Sequence, residues 1–365
     1  MTVPKQSLFN GPLFALGAFS LAAFAAYSGE EISTHIRFTN LSESTQFGLQ
    51  SDYVKDITQD KSGDVWLATD AGLARFDYWR ATHYLSQESS GTQGGITNIT
   101  AVATNSKSLG PVWIGTFGGL LKMDQRKNSF SRYSRASGHQ LASDQITDLS
   151  ISDDSLLWIG TSEGLCSMDL ASERIQPIAG ELSSEAISFV SCLSDGDVWV
   201  GTESGKLFQR APGSETFEMQ WATTVAITCV VKDADNQLWI GTSGKGLYRR
   251  ETPDSKSTQP VSLDAKSITA LHLDSKNRNV WIGTRSGVAV YFRSEDTFGW
   301  FKHSPHHGES LANNHVTSIF EDYGKILWIG TANGGTSRFS LDQEWFTHIR
   351  SNPDQKNGLP DSTIQ

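Results

Sequence analysis

Cysteine is scarce in this sequence: Cys166, Cys192 and Cys229 are the only three in 365 residues. An odd count without Cys-x-x-Cys spacing excludes a disulfide framework and a thiolate metal centre. The apolar runs around Cys192 and Cys229 predict buried thiols. Basic charge is also short. Thirty Lys and Arg stand against 40 Asp and Glu, for a formal net charge of −10, and charged residues make up only 19% of the chain. A nucleic acid needs a basic face, so that partner class is excluded. Long apolar runs are limited to residues 13–27, behind the single early charge Lys5. Fifteen residues suit a signal-peptide core but fall short of the ~20 of a membrane span. Ala23-Phe24-Ala25 supplies a small-x-small cleavage pattern. Residues 1–26 are therefore expected to be a signal peptide cleaved after Ala25, or else an uncleaved N-terminal anchor, and the rest of the chain to be exported.

What the sequence does hold is glycine and aromatics: 33 Gly, 11 Trp and 18 Phe. They are periodic. A Trp-x-Gly-Thr tetrapeptide begins at Trp66, Trp113, Trp158, Trp199, Trp239, Trp281 and Trp328, at steps of 40 to 47 residues. Its glycines are Gly115, Gly160, Gly201, Gly241, Gly283 and Gly330, with Ala68 in the first repeat. The seventh repeat shows the plan. Val316–Glu321, Leu327–Thr331, Gly335–Phe339 and Trp345–Ile349 read as four strands divided by turn residues. Four short strands per 40 to 47 residues is one propeller blade. The expected fold is all-β: a seven-bladed β-propeller of four-stranded antiparallel blades over residues 30–350.

Within a blade, Trp and the following Gly are expected on opposite faces, the Gly leaving room for the next blade's side chains. The Thr hydroxyl is expected to bond backbone at the turn. A single blade cannot bury both faces, so the ring must close. Thr34-His35-Ile36-Arg37 matches Thr347-His348-Ile349-Arg350 letter for letter. This predicts that residues 34–38 are an orphan fourth strand completing blade seven. Residues 358–364 parallel 310–316, so 351–365 are expected to begin a further repeat of an incomplete chain.

The run from Asp60 to Asp77, DKSGDVWLATDAGLARFD, resembles the two-component regulator propeller family in its Asp-x-x-Gly-x-Leu-Trp-Ile-Gly-Thr-x-x-Gly-Leu-x-Arg-Phe pattern. The resemblance extends over residues 34–365. Repeat two departs with Thr104-Asn105 in place of Asp, and repeat four is shortened around Asp195-Gly196-Asp197. The resemblance implies a periplasmic sensor region that signals through a second propeller, a membrane helix and a histidine kinase or diguanylate cyclase output. It also implies a small-molecule or oligosaccharide ligand and possible homodimerisation of the intact receptor. None of the output signatures occurs in this sequence. The alternatives are a secreted propeller lyase or hydrolase acting on a polysaccharide or cyclic peptide, and a protein-interaction scaffold.

Local motifs add little chemistry. Gly201–Leu207 and Gly241–Gly246 lack the spacing of a phosphate loop and read as hairpin turns. The Asp before each Trp reads as a turn former, since one carboxylate per blade does not make a calcium site. His303, His306, His307 and Glu309 share one loop, which reads as a solvated rim more readily than as zinc ligands. No catalytic residue, metal site or cofactor is expected. The variable tips between strands two and three are the candidate ligand-binding residues: Asp70, Phe117, Glu163, Glu203, Lys245, Arg285 and Asn333. Phe117 and Arg285 suit stacking on or gripping a sugar, while Asp70, Glu203 and Asn333 suit accepting its hydroxyl protons. Loops 86–98 and 303–315 are expected to add to the same rim.

Overall fold

Each Trp-x-Gly-Thr segment forms the second strand of a four-stranded antiparallel sheet, and seven such sheets make the molecule. The computed structural model describes residues 37–45, 48–85, 99–105, 108–152, 155–251, 257–276 and 278–342. The segments 1–26, 86–98, 345–349 and 351–365 discussed above lie outside the described residues. Six blades are simple meanders of four consecutive strands. The first strands, from Val54–Gln59 in blade one to Val316–Glu321 in blade seven, form an inner ring.

The seventh blade closes that ring. Its inner three strands are Val316–Glu321, Ile326–Thr331 and Thr336–Ser340, and its outermost is the N-terminal Thr39–Leu41. The register pairs Thr39 with Arg338 and Leu41 with Thr336. An N-terminal outer strand thus closes the propeller; its paired residues are 39–41, residues 37 and 38 of the expected strand carry no ladder pair, and 34–36 lie outside the described residues. Residues 37 and 38 do another job. Phe38 is buried, edge-on to Phe301 and Phe339 at 5.9 and 5.4 Å. Its N–H donates to the Glu309 carbonyl at 2.8 Å. Asn40 donates to the carbonyls of Gly308 and Ser310, and Arg37 pairs with Glu309 at 3.2 Å. The seam between blades seven and one is sewn further in as well. Tyr78 donates to Asp322 at 2.6 Å, and the Tyr323 N–H donates to Gln59 at 2.7 Å.

One expectation about the blades is corrected. Trp and Gly share a face, because residues two apart on a strand point the same way. Trp113 packs with Ile146, Leu149 and Leu157 of the next blade. A Cβ on Gly115 would stand 2.8 Å from Ile146 Cγ2, too close for any real contact. The same crowding recurs at Gly160 against Ile187, Gly241 against Ile268 and Gly283 against Val316. The missing side chain therefore admits the first residue of the neighbouring inner strand, as expected. The residue between Trp and Gly faces the other way: Ile114 packs with Trp66 of the preceding blade. The threonines also behave as expected. Thr69, Thr116, Thr161, Thr284 and Thr331 each donate to the carbonyl of the glycine that ends the turn, at 2.6 to 2.9 Å.

In blades one, five, six and seven the aspartate before the Trp forms the turn and has a second task. Asp60, Asp233, Asp274 and Asp322 are buried. One oxygen accepts turn backbone N–H groups, and the other accepts the indole N–H of Trp66, Trp239, Trp281 or Trp328 at 2.8 to 3.0 Å. In blade three Ser152 substitutes, at 3.2 Å. Blade four, the shortened repeat, leaves the buried Trp199 indole without an acceptor. Removing an acceptor strands two kinds of buried donor. Asp274→Ala is expected to cost about 3 kcal/mol, measurable by urea denaturation. A loss under about 0.5 kcal/mol would contradict this role.

Candidate functional site

Two sets of loops meet on one end of the ring. The turn after each Trp-x-Gly-Thr bonds to the connection that enters the inner strand. Ser162 donates to Gln145, Glu203 to Ala186, Ser243 to Ala226 and Ala332 to His315, at 2.8 to 3.0 Å through backbone groups. All seven candidate residues stand on this face and all are exposed. They are not equivalent positions. Asp70, Phe117, Glu203 and Arg285 directly follow the Thr, Glu163 and Asn333 come second, and Lys245 comes third.

Their surroundings differ. Ser51 donates its hydroxyl to Asp70, whose charge also opposes the burial that lowers the Lys55 pKa. Glu163 pairs with Arg135 at 3.6 Å. Phe117 is 55% exposed, one of few large apolar side chains left in solvent. Arg285 stands beside His315, whose pKa is lowered first by burial and then by that guanidinium. Among the described residues no hydrogen bond or ion pair joins any two of the seven. The face is a ring of separate tips around the mouth of a channel.

Loop 303–315 lies on this face, and two of its histidines bond within the loop itself. His303 Nδ1 bonds to the Leu311 carbonyl at 2.7 Å, and His307 Nδ1 to Ser304 at 3.0 Å. Glu309 holds Arg37. Among the described residues no group of three His, Cys, Asp or Glu is placed to hold a metal. The loop is the clasp on the closing strand. Its partners lie some 270 residues away in sequence, which is why the local reading did not find them.

The channel was missed by sequence reasoning. It is a cavity of about 740 Å³ lined by the inner strands of all seven blades. In each inner strand one bulged residue pairs with the tetrapeptide's third position: Asp56, Ala101, Asp148, Phe189, Cys229, Ala270 and Ser318. Asp56 accepts from the Val102 N–H and from its own neighbour Ile57, both at 2.8 Å. Asp148 accepts likewise from Val190 and Leu149. The surrounding wall of protein raises Asp56 to a pKa of about 6. Burial, together with the Asp56 charge, raises Asp148 to about 7. Cys192 and Cys229 line this channel and are only partly buried, a correction to their expected place in the core. The protein packed around its sulfur pushes the Cys229 thiol up to about 12, which favours the protonated form. Cys166 is buried. Aligning the seven inner strands on the tetrapeptide is the one sequence operation that exposes the two carboxylates.

Fold and loops together define a β-propeller with a polar channel and a variable loop face. The two component regulator propeller model matches residues 48–71, 223–244 and 310–333. Each matched stretch spans the first two strands of a blade, in blades one, five and seven. Its structure is similar to the extracellular domain of BT3049 from B. thetaiotaomicron, assigned to a hybrid two component system. That likeness has 25% identity and a TM-score of 0.70, covering 83% of this chain and 41% of the other. A similar domain of BT4673 from the same organism gives 22% identity and a TM-score of 0.69, covering 84% and 40%. This chain thus spans about two fifths of the length of those domains. Virginiamycin B lyase from Staphylococcus aureus shares the fold at 13% identity and a TM-score of 0.62, covering 84% of this chain and 99% of the enzyme. No curated protein matches in sequence.

Proposed function

We propose that this propeller is an extracytoplasmic ligand-sensing module of a signal-transduction receptor. The observation that carries the reading is the joint one: regulator propeller repeats, and a likeness at 25% identity to an extracellular domain of a two component system. Fixed blades with variable tips are the arrangement by which a rigid scaffold presents a binding surface. The ligand we assign is a small molecule of the oligosaccharide class, bound on the loop face by the tips from Asp70 to Asn333. Occupancy is passed to domains beyond this chain, a further propeller and a membrane-anchored output, and the region before residue 37 directs export. Among the described residues no helix is long and apolar enough to cross a membrane. The module is a binding unit, not a catalyst. The lyase likeness at 13% identity concerns the fold alone.

A ligand that binds only the folded chain raises its melting temperature. Screening oligosaccharides by thermal shift is expected to find a class that raises Tm by several degrees at saturation. A panel of neutral and acidic oligosaccharides that leaves Tm unmoved, alongside turnover of any of them, would replace sensing by catalysis.

A further inference from the structure

Blade four lacks one group that its neighbours hold. In blades one, five and seven the residue six before the Trp is Asp60, Asp233 or Asp322, and its carboxylate takes the indole N–H. In blade four that place holds Leu193. The backbone there is the same. Leu193 N–H donates to the Asp197 carbonyl at 2.8 Å and Gly196 N–H to the Leu193 carbonyl at 3.0 Å. Asp60 N–H donates likewise to Asp64, and Gly63 N–H to Asp60, both at 3.0 Å. Only the carboxylate is missing, and the Trp199 indole, 3% exposed, keeps an N–H with no acceptor. A buried donor in that state is costly.

A second departure falls on the same seam. The residue paired with the one before each Trp packs on the Trp of the preceding blade. Phe76 meets Trp328, Tyr291 meets Trp239 and Phe339 meets Trp281, with ring centroids 4.8 to 5.6 Å apart. In blade five that residue is Arg250, paired with Leu238. Its side chain is a buried charge, 3% exposed. Two of its nitrogens go to neutral acceptors, Nε to Thr258 at 3.4 Å and Nη2 to the Gln220 carbonyl at 2.8 Å. Burial lowers its pKa with no carboxylate opposing the shift. The acids of the blade-four turn are committed: Asp195 and Asp197 both hold Lys232, at 2.5 and 2.6 Å. Trp199 and Arg250 line one cavity of about 20 Å³, whose other walls are Gln209, Lys232, Asn236 and Leu238. That space suits a single water molecule or a monatomic ion. Water satisfies the indole but leaves the guanidinium charge unanswered, whereas a small anion answers both.

We infer that the seam between blades four and five holds a chloride ion, bound by the Trp199 indole N–H and the Arg250 guanidinium in place of the carboxylate that Leu193 does not supply. The site lies at the end of the ring opposite the variable tips, and it stands or falls independently of ligand sensing there.

The test follows the indole N–H signals of the full chain, with labelled tryptophan nitrogen, as sodium chloride replaces sodium gluconate at constant ionic strength. Gluconate is too large for the cavity. The signal assigned to Trp199 by its loss in Trp199→Phe is expected to move saturably, and Tm to rise by about 2–3 °C. Leu193→Asp restores an internal acceptor, so its Trp199 signal and its Tm should both ignore chloride. Arg250→Met installs the side chain found at the equivalent Met123 and Met168 and should weaken chloride binding at least tenfold. A parent Trp199 signal that does not respond to chloride means a water-filled cavity and overturns the site. Chloride dependence that survives undiminished in Leu193→Asp or Arg250→Met overturns it as well.

Discussion

Deleting residues 37–41 is expected to lower the melting temperature by roughly 10 °C. The segment buries Phe38 and Leu41, and two such side chains contribute about 4 to 5 kcal/mol. Its loss also exposes Phe301 and Phe339 and bares Thr336–Ser340 as an unpaired sheet edge. The total, about 6 kcal/mol on those terms, is large because this seam is the one place where the ring is held by strands from opposite ends of the chain. Gly335→Ala provides a point-mutation counterpart. Gly335 has φ +72°, and a Cβ there would lie 1.9 Å from the Leu41 carbonyl oxygen. The substitution must push the closing strand off its partner, so it should recover much of the deletion's effect by differential scanning calorimetry. If both variants melt within about 2 °C of the parent, the strand is an ornament and the inner seam through Tyr78, Asp322 and Gln59 suffices.

The closing strand also shows what the sequence made legible. Each blade poses the same packing problem, so the same answer, Trp66 to Trp328 with its glycine and threonine, recurs and can be counted. That recurrence carries fold class, blade number and the meander within each blade. Closure was legible as a principle, from the duplicate of Thr34–Arg37, but its register was not. Pairing is set by where Phe38 finds its pocket against Phe339 and Phe301 and Leu41 finds its own among Val54, Phe76 and Trp328, pockets formed largely by distant residues. The tip residues and the connections into the inner strands share one end of the ring, as expected, because turn position follows from strand order. Their chemistry was not separable by sequence. Lys245 and Glu163 look alike as variable loop charges until Arg135 is found beside one and no carboxylate beside the other. Asp56 and Asp148 were silent for a different reason. They break the repeat instead of following it, since the equivalent positions hold Ala, Phe, Cys and Ser.

Those two carboxylates set the second large effect, a stability that falls as pH rises from about 4 to about 7. Each accepts two backbone N–H groups, yet the channel wall withholds enough solvent to disfavour the charged form. Folded pKa values of about 6 and about 7 lie above the ordinary 3.8, so the folded chain retains protons that the unfolded chain has released. Their stabilisation is complete below the unfolded pKa and is lost as pH climbs through the folded values. At 1.36 kcal/mol per unit the shifts correspond to about 3 and 4 kcal/mol. The sum is smaller, on the order of 5 kcal/mol, because the Asp56 charge is itself part of what raises Asp148. Surface aspartates such as Asp124 and Asp169 act oppositely. Backbone and side-chain hydrogen bonds hold their pKa down, so their share is lost as pH falls through the carboxylate range, below the window of interest. Asp56→Asn/Asp148→Asn removes the titration while keeping one acceptor at each site. The variant should melt at nearly constant temperature from pH 5 to 8. It should lie below the parent at pH 5, where it lacks one backbone acceptor per site, and at or above it at pH 8. Parallel parent and variant curves across that range would mean that channel water solvates both carboxylates well enough to leave them charged.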